Sequence, residues 1–321
     1  MPGFPWKKFR RSAEVNSNSD WMSQLPPKLH TVPLYDLAIP GSHDSITYDL
    51  DVNSSIVEPQ KLRRFSKICC VRKIVHRWAS TQDATVTEQL DAGVRYLDLR
   101  IARKPNDPDP TRLYFYHGLY TRTDVETVLR EILEWAKRHP KEILNLAFSN
   151  FRGFEKQSEQ MLHNHLIKSI KTLFGDRLVP RWSKNKHTLK SCWDIDKNII
   201  VSYDYKANQD LWMKITYFYG NSMKPADIES RLCRALEKER PYQYFFVCGL
   251  NLTLPNDARI LKYILRLCDN FHNVILRSLP KMVQWLKKQS GQKMNIVASD
   301  MVTRDDFVTT VIELNSINGK A

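Results

Sequence analysis

The stretch Ala38-Ile39-Pro40-Gly41-Ser42-His43-Asp44-Ser45 carries an apolar approach into a Pro-Gly turn and then sets an imidazole beside a carboxylate. A turn needs only polar or permissive residues, so a base with a hydrogen-bonding neighbour equips this one for proton transfer. Similar residues close other apolar runs. V-R-Y-L-D-L-R-I holds Asp98 and Arg100, whose spacing of two puts them on one face of a strand. L-Y-F-Y-H-G ends in His117, and later runs end in Ser149 with Asn150, in Tyr203 with Asp204, and in Asp300, while another carries Asn251. Two imidazoles, a guanidinium and several carboxylates suit cleavage of a phosphodiester. That reaction needs a base for the attacking oxygen, an acid for the leaving oxygen and a cation for charge growing on the phosphoryl oxygens. A guanidinium offers phosphate a fixed set of donors, and neighbouring carboxylates can orient the imidazoles.

The elements that would position these groups read as strands alternating with helices. Apolar runs at residues 35–40, 94–102, 113–117, 143–148, 198–203, 244–252 and 295–299 look like buried strands, with a weaker one at 215–219. Apolar residues recur at helical spacing from Val125 to Trp135, before His139-Pro140, and from Met161 to Leu173, before Gly175. Residues 226–239, 257–272 and 281–289 are read as further helices. The alternation predicts a mainly parallel sheet, and seven or eight strands in about 300 residues fit an α/β barrel of the TIM type. A doubly wound open sheet is the alternative, although no G-x-G-x-x-G follows the first strand. In a barrel these polar groups, scattered along the chain, meet at one rim. Each also has an ordinary reading: Asp98 with Arg100 as a buried ion pair, Asp300 as a helix cap, Asn150 and Asn251 as turn residues.

The chain has 321 residues, 42% of them hydrophobic, which is ample for a folded core. Residues 1–20 read as a flexible basic arm and 21–321 as one domain without repeat or linker. Lys and Arg number 49 against 35 Asp and Glu, a net charge of +14 that favours an anionic partner. The six cysteines form no C-x-x-C pair, the pattern of a reduced intracellular protein. The start, M-P-G-F-P-W-K-K-F-R-R, lacks the apolar run of a secretory signal, and no stretch approaches ~20 apolar residues. A cytoplasmic protein that meets membranes peripherally is the expectation.

The order and spacing of I-P-G-S-H-D-S, G-V-R-Y-L-D-L-R-I and Y-F-Y-H-G resemble the X region of phosphatidylinositol-specific phospholipase C, most closely the small eukaryotic proteins built of that domain alone. The resemblance runs from about Trp21 to the C-terminus and implies a somewhat irregular TIM-type barrel. It implies that His43 is the general base for the inositol 2-hydroxyl and His117 the general acid for the diacylglycerol oxygen, through a cyclic inositol phosphate. Asp300 matches the carboxylate that orients the first histidine, and Asp44 the one that supports the second. Asp98 and Arg100 fall on the D-x-R of the bacterial enzymes. The calcium-dependent enzymes instead carry Asn after the first histidine, E-x-D on the second strand and a Glu ending the fourth, where this chain has Ala147-Phe148-Ser149-Asn150. Arg100 would repel Ca²⁺, so the expectation is chemistry with no metal or other cofactor. The bacterial inositol-binding Arg is replaced by the Tyr203-Asp204-Tyr205 region, and Asn150, Tyr203 and Asn251 are taken as substrate-binding residues from strand-end position alone.

The basic stretches 7–11, 61–67 and 71–78 interleave Lys and Arg with apolar residues. They read either as solvated helix faces or as a surface for anionic lipid, where each well-placed charge contributes about 1 kcal/mol. The expected partners are a phosphoinositide substrate and an anionic membrane surface, and no nucleic acid. Two other functions stay open: an anionic-phospholipid-binding module without turnover, and a metal-dependent glycerophosphodiester phosphodiesterase.

Overall fold

The computed structural model describes residues 18–181, 186–206, 208, 210–254, 271–289 and 294–318. Nine strands are described: β1 Ile39–Ser42, β2 Tyr96–Ala102, β3 Tyr114–His117, β4 Leu119–Asp124, β5 Leu144–Arg152, β6 Ile199–Tyr203, β7 Thr216–Phe218, β8 Phe246–Gly249 and β9 Ile296–Ser299. Seven of them are parallel and stand in the order β7-β8-β9-β1-β2-β5-β6. Among the described residues the α-helices are α1 Cys69–Ala79, α2 Val86–Asp91, α3 Val125–Arg138, α4 Glu159–Phe174, α5 Leu189–Asp194, α6 Pro225–Lys238, α7 Phe271–Lys287 and α8 Phe307–Asn318. This is the expected TIM-type barrel, and its irregularity has a definite place. No hydrogen bonds join β6 to β7; Trp212 sits beside β6 instead, with its N–H on the Val201 carbonyl and its own carbonyl taking the Tyr203 N–H, each at 2.9 Å.

Strand alternation sorts the residues into two packing layers. Leu97, Leu99 and Ile101 on β2, Leu144, Leu146 and Phe148 on β5, and Ile199, Val201 and Tyr203 on β6 point outwards to the helices. On α3 the stripe Val128, Leu129, Ile132 and Ala136 receives them, with Asp124 capping the helix by accepting the Thr127 N–H at 2.8 Å. Tyr96, Ala147, Ile200, Val247, Ile39, Ile296 and Ala298 point inwards. At Gly41 an added Cβ would lie 3.0 Å from both Tyr96 and Ile296, so the interior under His43 has no space for a side chain there.

The structure redraws several elements. The first strand begins at Ile39, because Leu34–Asp36 form a 3-10 turn after Pro33. The run at 113–117 is no barrel stave: β3 is antiparallel to β2 and folds back through Gly118 into β4, which the sequence reading lacked. The segment 281–289 belongs to the longer helix α7, which continues through Pro280, and the helix read at 257–272 lies almost wholly outside the described residues. Residues 18–20, assigned to a flexible arm, are tied down. The fully buried Arg95 donates from Nη2 to the carbonyls of Asn18 and Ser19 and pairs with Glu142 at 2.8 Å. Glu142 in turn accepts the N–H groups of Met22 and Ser23, and Trp21, Met22, Leu25 and Leu29 cover the lower end of the barrel. Cys69, Cys70, Cys192 and Cys248 are free thiols. No helix among the described residues is long and apolar enough to cross a membrane.

Candidate active site

The inward faces of four strands lead to the upper rim: Asp98 and Arg100 lie within β2, and His43, Asn251 and Asp300 follow the ends of β1, β8 and β9. His117 reaches the same place from the β3–β4 hairpin, which folds over the rim. Asp300 caps no helix, since α8 begins only at Phe307.

His43 is buried and fixed on both ring nitrogens. Nδ1 lies 2.8 Å from Asp300 Oδ1, so an Nδ1–H donated to this carboxylate leaves the Nε2 lone pair for the cavity. Arg100 Nη2 stands 2.9 Å from Nε2. Its Nε is 2.6 Å from Asp44 Oδ1, and Nη2 is 3.4 Å from Asp98 Oδ2. The other Asp44 oxygen is shared by both imidazoles, 3.2 Å from His43 Nε2 and 3.5 Å from His117 Nε2. His117 points Nδ1 at the carbonyl of Ala79, 2.8 Å away, which turns Nε2 towards the cavity. The two rings lie 6.3 Å apart, nearly perpendicular. Asp44 holds this shared position with φ +45°, a conformation in which Asp is one of the few tolerated side chains.

The electrostatics follow from this crowding. Burial works against a charged His43, but Asp44 and Asp300 outweigh it and its pKa is raised. Burial likewise works against the Asp44 carboxylate, yet Arg100 and the two histidines pull its pKa below the usual range. Asp300 is raised by burial, only partly countered by His43. Burial opposes the Arg100 charge, which Asp44 and Asp98 hold in place with a pKa well above the ordinary one. Burial raises the pKa of the Tyr217 and Tyr219 hydroxyls.

Two cavities meet at Arg100 and Tyr219. The smaller, of about 360 Å³, opens along the β6–β7 seam between Asp98, Ser149, Asn150, Ser202, Lys214 and Tyr217. The larger, of about 680 Å³, holds His43, His117 and Asn251. Of the three residues read as substrate-binding from strand-end position, Asn150 and Asn251 line these cavities and Tyr203 does not. Tyr203 is buried on the outward face of β6, its hydroxyl on His163 Nδ1 at 2.9 Å, because strand alternation gives the inward place to Ser202. Sequence reasoning missed Tyr217 and Tyr219, whose rings stack at 4.1 Å, and the bond from Tyr217 Oη to Asn251 Oδ1 at 2.8 Å. The signal was present in I-T-Y-F-Y, where residues 215, 217 and 219 alternate to one face. Gly249 makes that bond possible, since an added Cβ would lie 2.5 Å from the Tyr217 ring and 2.8 Å from Asn251 Oδ1.

His43, Asp44 and Asp98 each offer one ligand atom within 4.8 Å of the others, a spacing that a metal ion can use. The guanidinium of Arg100 already engages both carboxylates. Ca²⁺ takes six to eight oxygen ligands, so the donor set fits a guanidinium rather than that ion.

A mostly parallel barrel with an imidazole pair, a guanidinium and shared carboxylates gathered at its C-terminal rim defines a class of α/β fold. Comparison with known proteins gives the family. The family model PI-PLC X 1 matches residues 73–315. The chain is 39% identical over 313 residues to human PI-PLC X domain-containing protein 1, covering 94% of this chain and 93% of that one. It is 36% identical over 317 residues to mouse PI-PLC X domain-containing protein 2, covering 96% and 90%. Among solved structures, the phosphatidylinositol-specific phospholipase C of Listeria monocytogenes superposes with TM-score 0.62 at 20% identity, covering 93% of this chain and 99% of that one. That of S. aureus gives 0.63 at 16% identity, covering 93% and 98%. The chain belongs to the PI-PLC X domain family.

Proposed function

We propose that this protein is a phosphodiesterase of the phospholipase C type that cleaves phosphatidylinositol or a related phosphoinositide without a metal. The observation that carries the reading is the differently anchored imidazole pair: Nε2 of His43 backed by Asp300, Nε2 of His117 backed by the Ala79 carbonyl, and Arg100 between them. His43 removes the proton from the inositol 2-hydroxyl, whose oxygen attacks the adjacent phosphorus. Arg100 moves from Nε2 of His43 to the phosphoryl oxygens and stabilises the charge growing there. His117 gives its Nε2 proton to the departing diacylglycerol oxygen, leaving a cyclic inositol phosphate. Asp44 and Asp300 stabilise the imidazolium forms. The inositol ring occupies the smaller cavity, where Asp98, Asn150 and Ser202 offer polar groups.

Metal independence is supported by the position of Arg100 between Asp44 and Asp98. Contact with an anionic membrane is supported by the exposed Lys61, Arg63, Arg64, Lys67, Lys73 and Arg77 on the segment that flanks the larger cavity. The test is incubation with phosphatidylinositol vesicles in excess chelator, with phosphorus NMR for cyclic inositol phosphate. The parent protein is expected to form it, and His43→Ala and His117→Ala are not. Vesicle binding without product across several phosphoinositides would replace the enzyme by a lipid-binding module. Activity that disappears in chelator and returns with Ca²⁺ would refute the metal-free mechanism.

A further inference from the structure

The fold leaves two adjacent thiols open to solvent. Cysteine is among the residue types most often fully buried, and Cys192 and Cys248 are buried, whereas Cys69 and Cys70 are exposed. Ile68 before them is 45% exposed, so three consecutive residues of types that ordinarily seek the interior face water. Cys69 and Cys70 are the first two residues of α1. At about 3.6 residues per turn they share one face of that helix with Lys73 and Arg77, which are exposed too. The opposite face is buried: Val75, Trp78 and Ala79 line the larger cavity, and the Ala79 carbonyl holds His117 Nδ1. Exposed Lys61, Arg63, Arg64 and Lys67 precede the thiols.

Two ordinary uses of a cysteine pair do not fit. Neighbouring residues of a helix project to different sides, so these thiols do not meet the ~3.5–4.5 Å Cβ separation of a disulfide. Among the described residues no cluster with metal-ligand spacing includes either of them. We propose that Cys69 and Cys70 are sites of S-acylation by a long-chain fatty acid, and that the attached chain and the surrounding basic residues together anchor α1 in an anionic membrane. A fatty acyl thioester of coenzyme A supplies the chain. The cysteine sulfur attacks its carbonyl carbon, a carbon–sulfur bond forms to the protein and the one to coenzyme A breaks. The thiol proton ends on the coenzyme A sulfur, so no oxidant or reductant takes part. One acyl chain alone binds a bilayer only marginally, and stable anchoring takes a second chain or a polybasic patch. The start of α1 and the segment before it offer both. The inference rests on the membrane-contact part of the proposed function and not on the phosphodiesterase. It adds an orientation: the helix whose inner face walls the cavity of the two histidines lies against the lipid.

The test expresses the full chain in cultured animal cells fed an alkyne-tagged palmitate. The tag is expected on the peptide that contains Cys69 and Cys70, located by mass spectrometry, and hydroxylamine, which cleaves thioesters, should release it. Cys69→Ser with Cys70→Ser should remove most of the chain's tag, and Cys233→Ser should leave it unchanged. A high-salt wash screens the basic residues. After it the parent should stay with the membranes at least about tenfold more than the double variant, a factor that burial of a few methylenes already supplies. An untagged peptide in the parent, or equal retention of parent and double variant, would overturn the inference. Both proteins made in bacteria, without acyl groups, should bind anionic vesicles and turn over phosphatidylinositol alike. Tag in cells with no vesicle binding or no turnover by those proteins keeps the acylation and removes the membrane contact or the phosphodiesterase. Vesicle binding and turnover with no tag in cells removes the acylation alone.

Discussion

Asp44 faces Arg100, His43 and His117 at once, and the pH behaviour of the site follows from that sharing. With His43 as the proposed base, its raised pKa means that it is protonated, and so lost as a base, below a value above 6.5. The acid limb of kcat/KM should therefore lie above 6.5 and fall as pH drops through it. Asp300→Asn removes a group that raises this pKa, so the limb should move to lower pH as the rate falls. Arg100→Gln removes a cation that lowers it, so the limb should move to higher pH. A pH–rate series on the three proteins checks both signs, and limbs that shift together in one direction would contradict the assignment. Asp44→Asn should cost about 10²–10⁴ in kcat, by analogy with losing the carboxylate of a triad, measured at the parent's pH optimum.

At the scale of elements, the site depends on close approach at a few glycines. Gly118→Val places a branched side chain where φ is +69° and where Ala79 and Val75 leave no space. It should push the hairpin off α1 and take His117 with it, so activity should fall by more than the loss of stability accounts for; urea midpoints beside kcat measure both. Gly41→Val overpacks the barrel interior and should destabilise by about 1–3 kcal/mol, read from the urea midpoint. The barrel, its parallel strands and the rim positions of His43, Asp98, Arg100, His117 and Asp300 were legible because strand alternation and strand ends are local signals. The inward turn of Ser202 and the outward turn of Tyr203 were legible in the same alternation, but strand-end position was used there in its place. What was not legible depends on contacts distant in sequence. The β3–β4 hairpin reads locally as one strand and a turn, and the β6–β7 seam appears only when Trp212 is seen beside β6. The 3-10 turn at Asn18–Asp20 is ordered by Arg95, 75 or more positions away.

Across the whole molecule, the net charge of +14 and the exposed basic segment beside the larger cavity point the same way. Binding to vesicles that contain anionic lipid should weaken steeply between low and high salt, whereas turnover of a soluble monomeric substrate should change little, because the buried Arg100 and Asp44 are poorly screened. Sedimentation of vesicles across a salt series, beside the soluble assay, checks this. The central claim is the division of labour between the two histidines. Its most direct test is an inositol phosphodiester with a nitrophenyl leaving group, which departs without a proton, assayed in excess chelator. His117→Ala should lose about 10²–10⁴ of the rate on phosphatidylinositol yet stay within about tenfold of the parent on the nitrophenyl ester. His43→Ala should lose activity on both substrates. Equal losses on the two substrates for His117→Ala would contradict its role as the general acid.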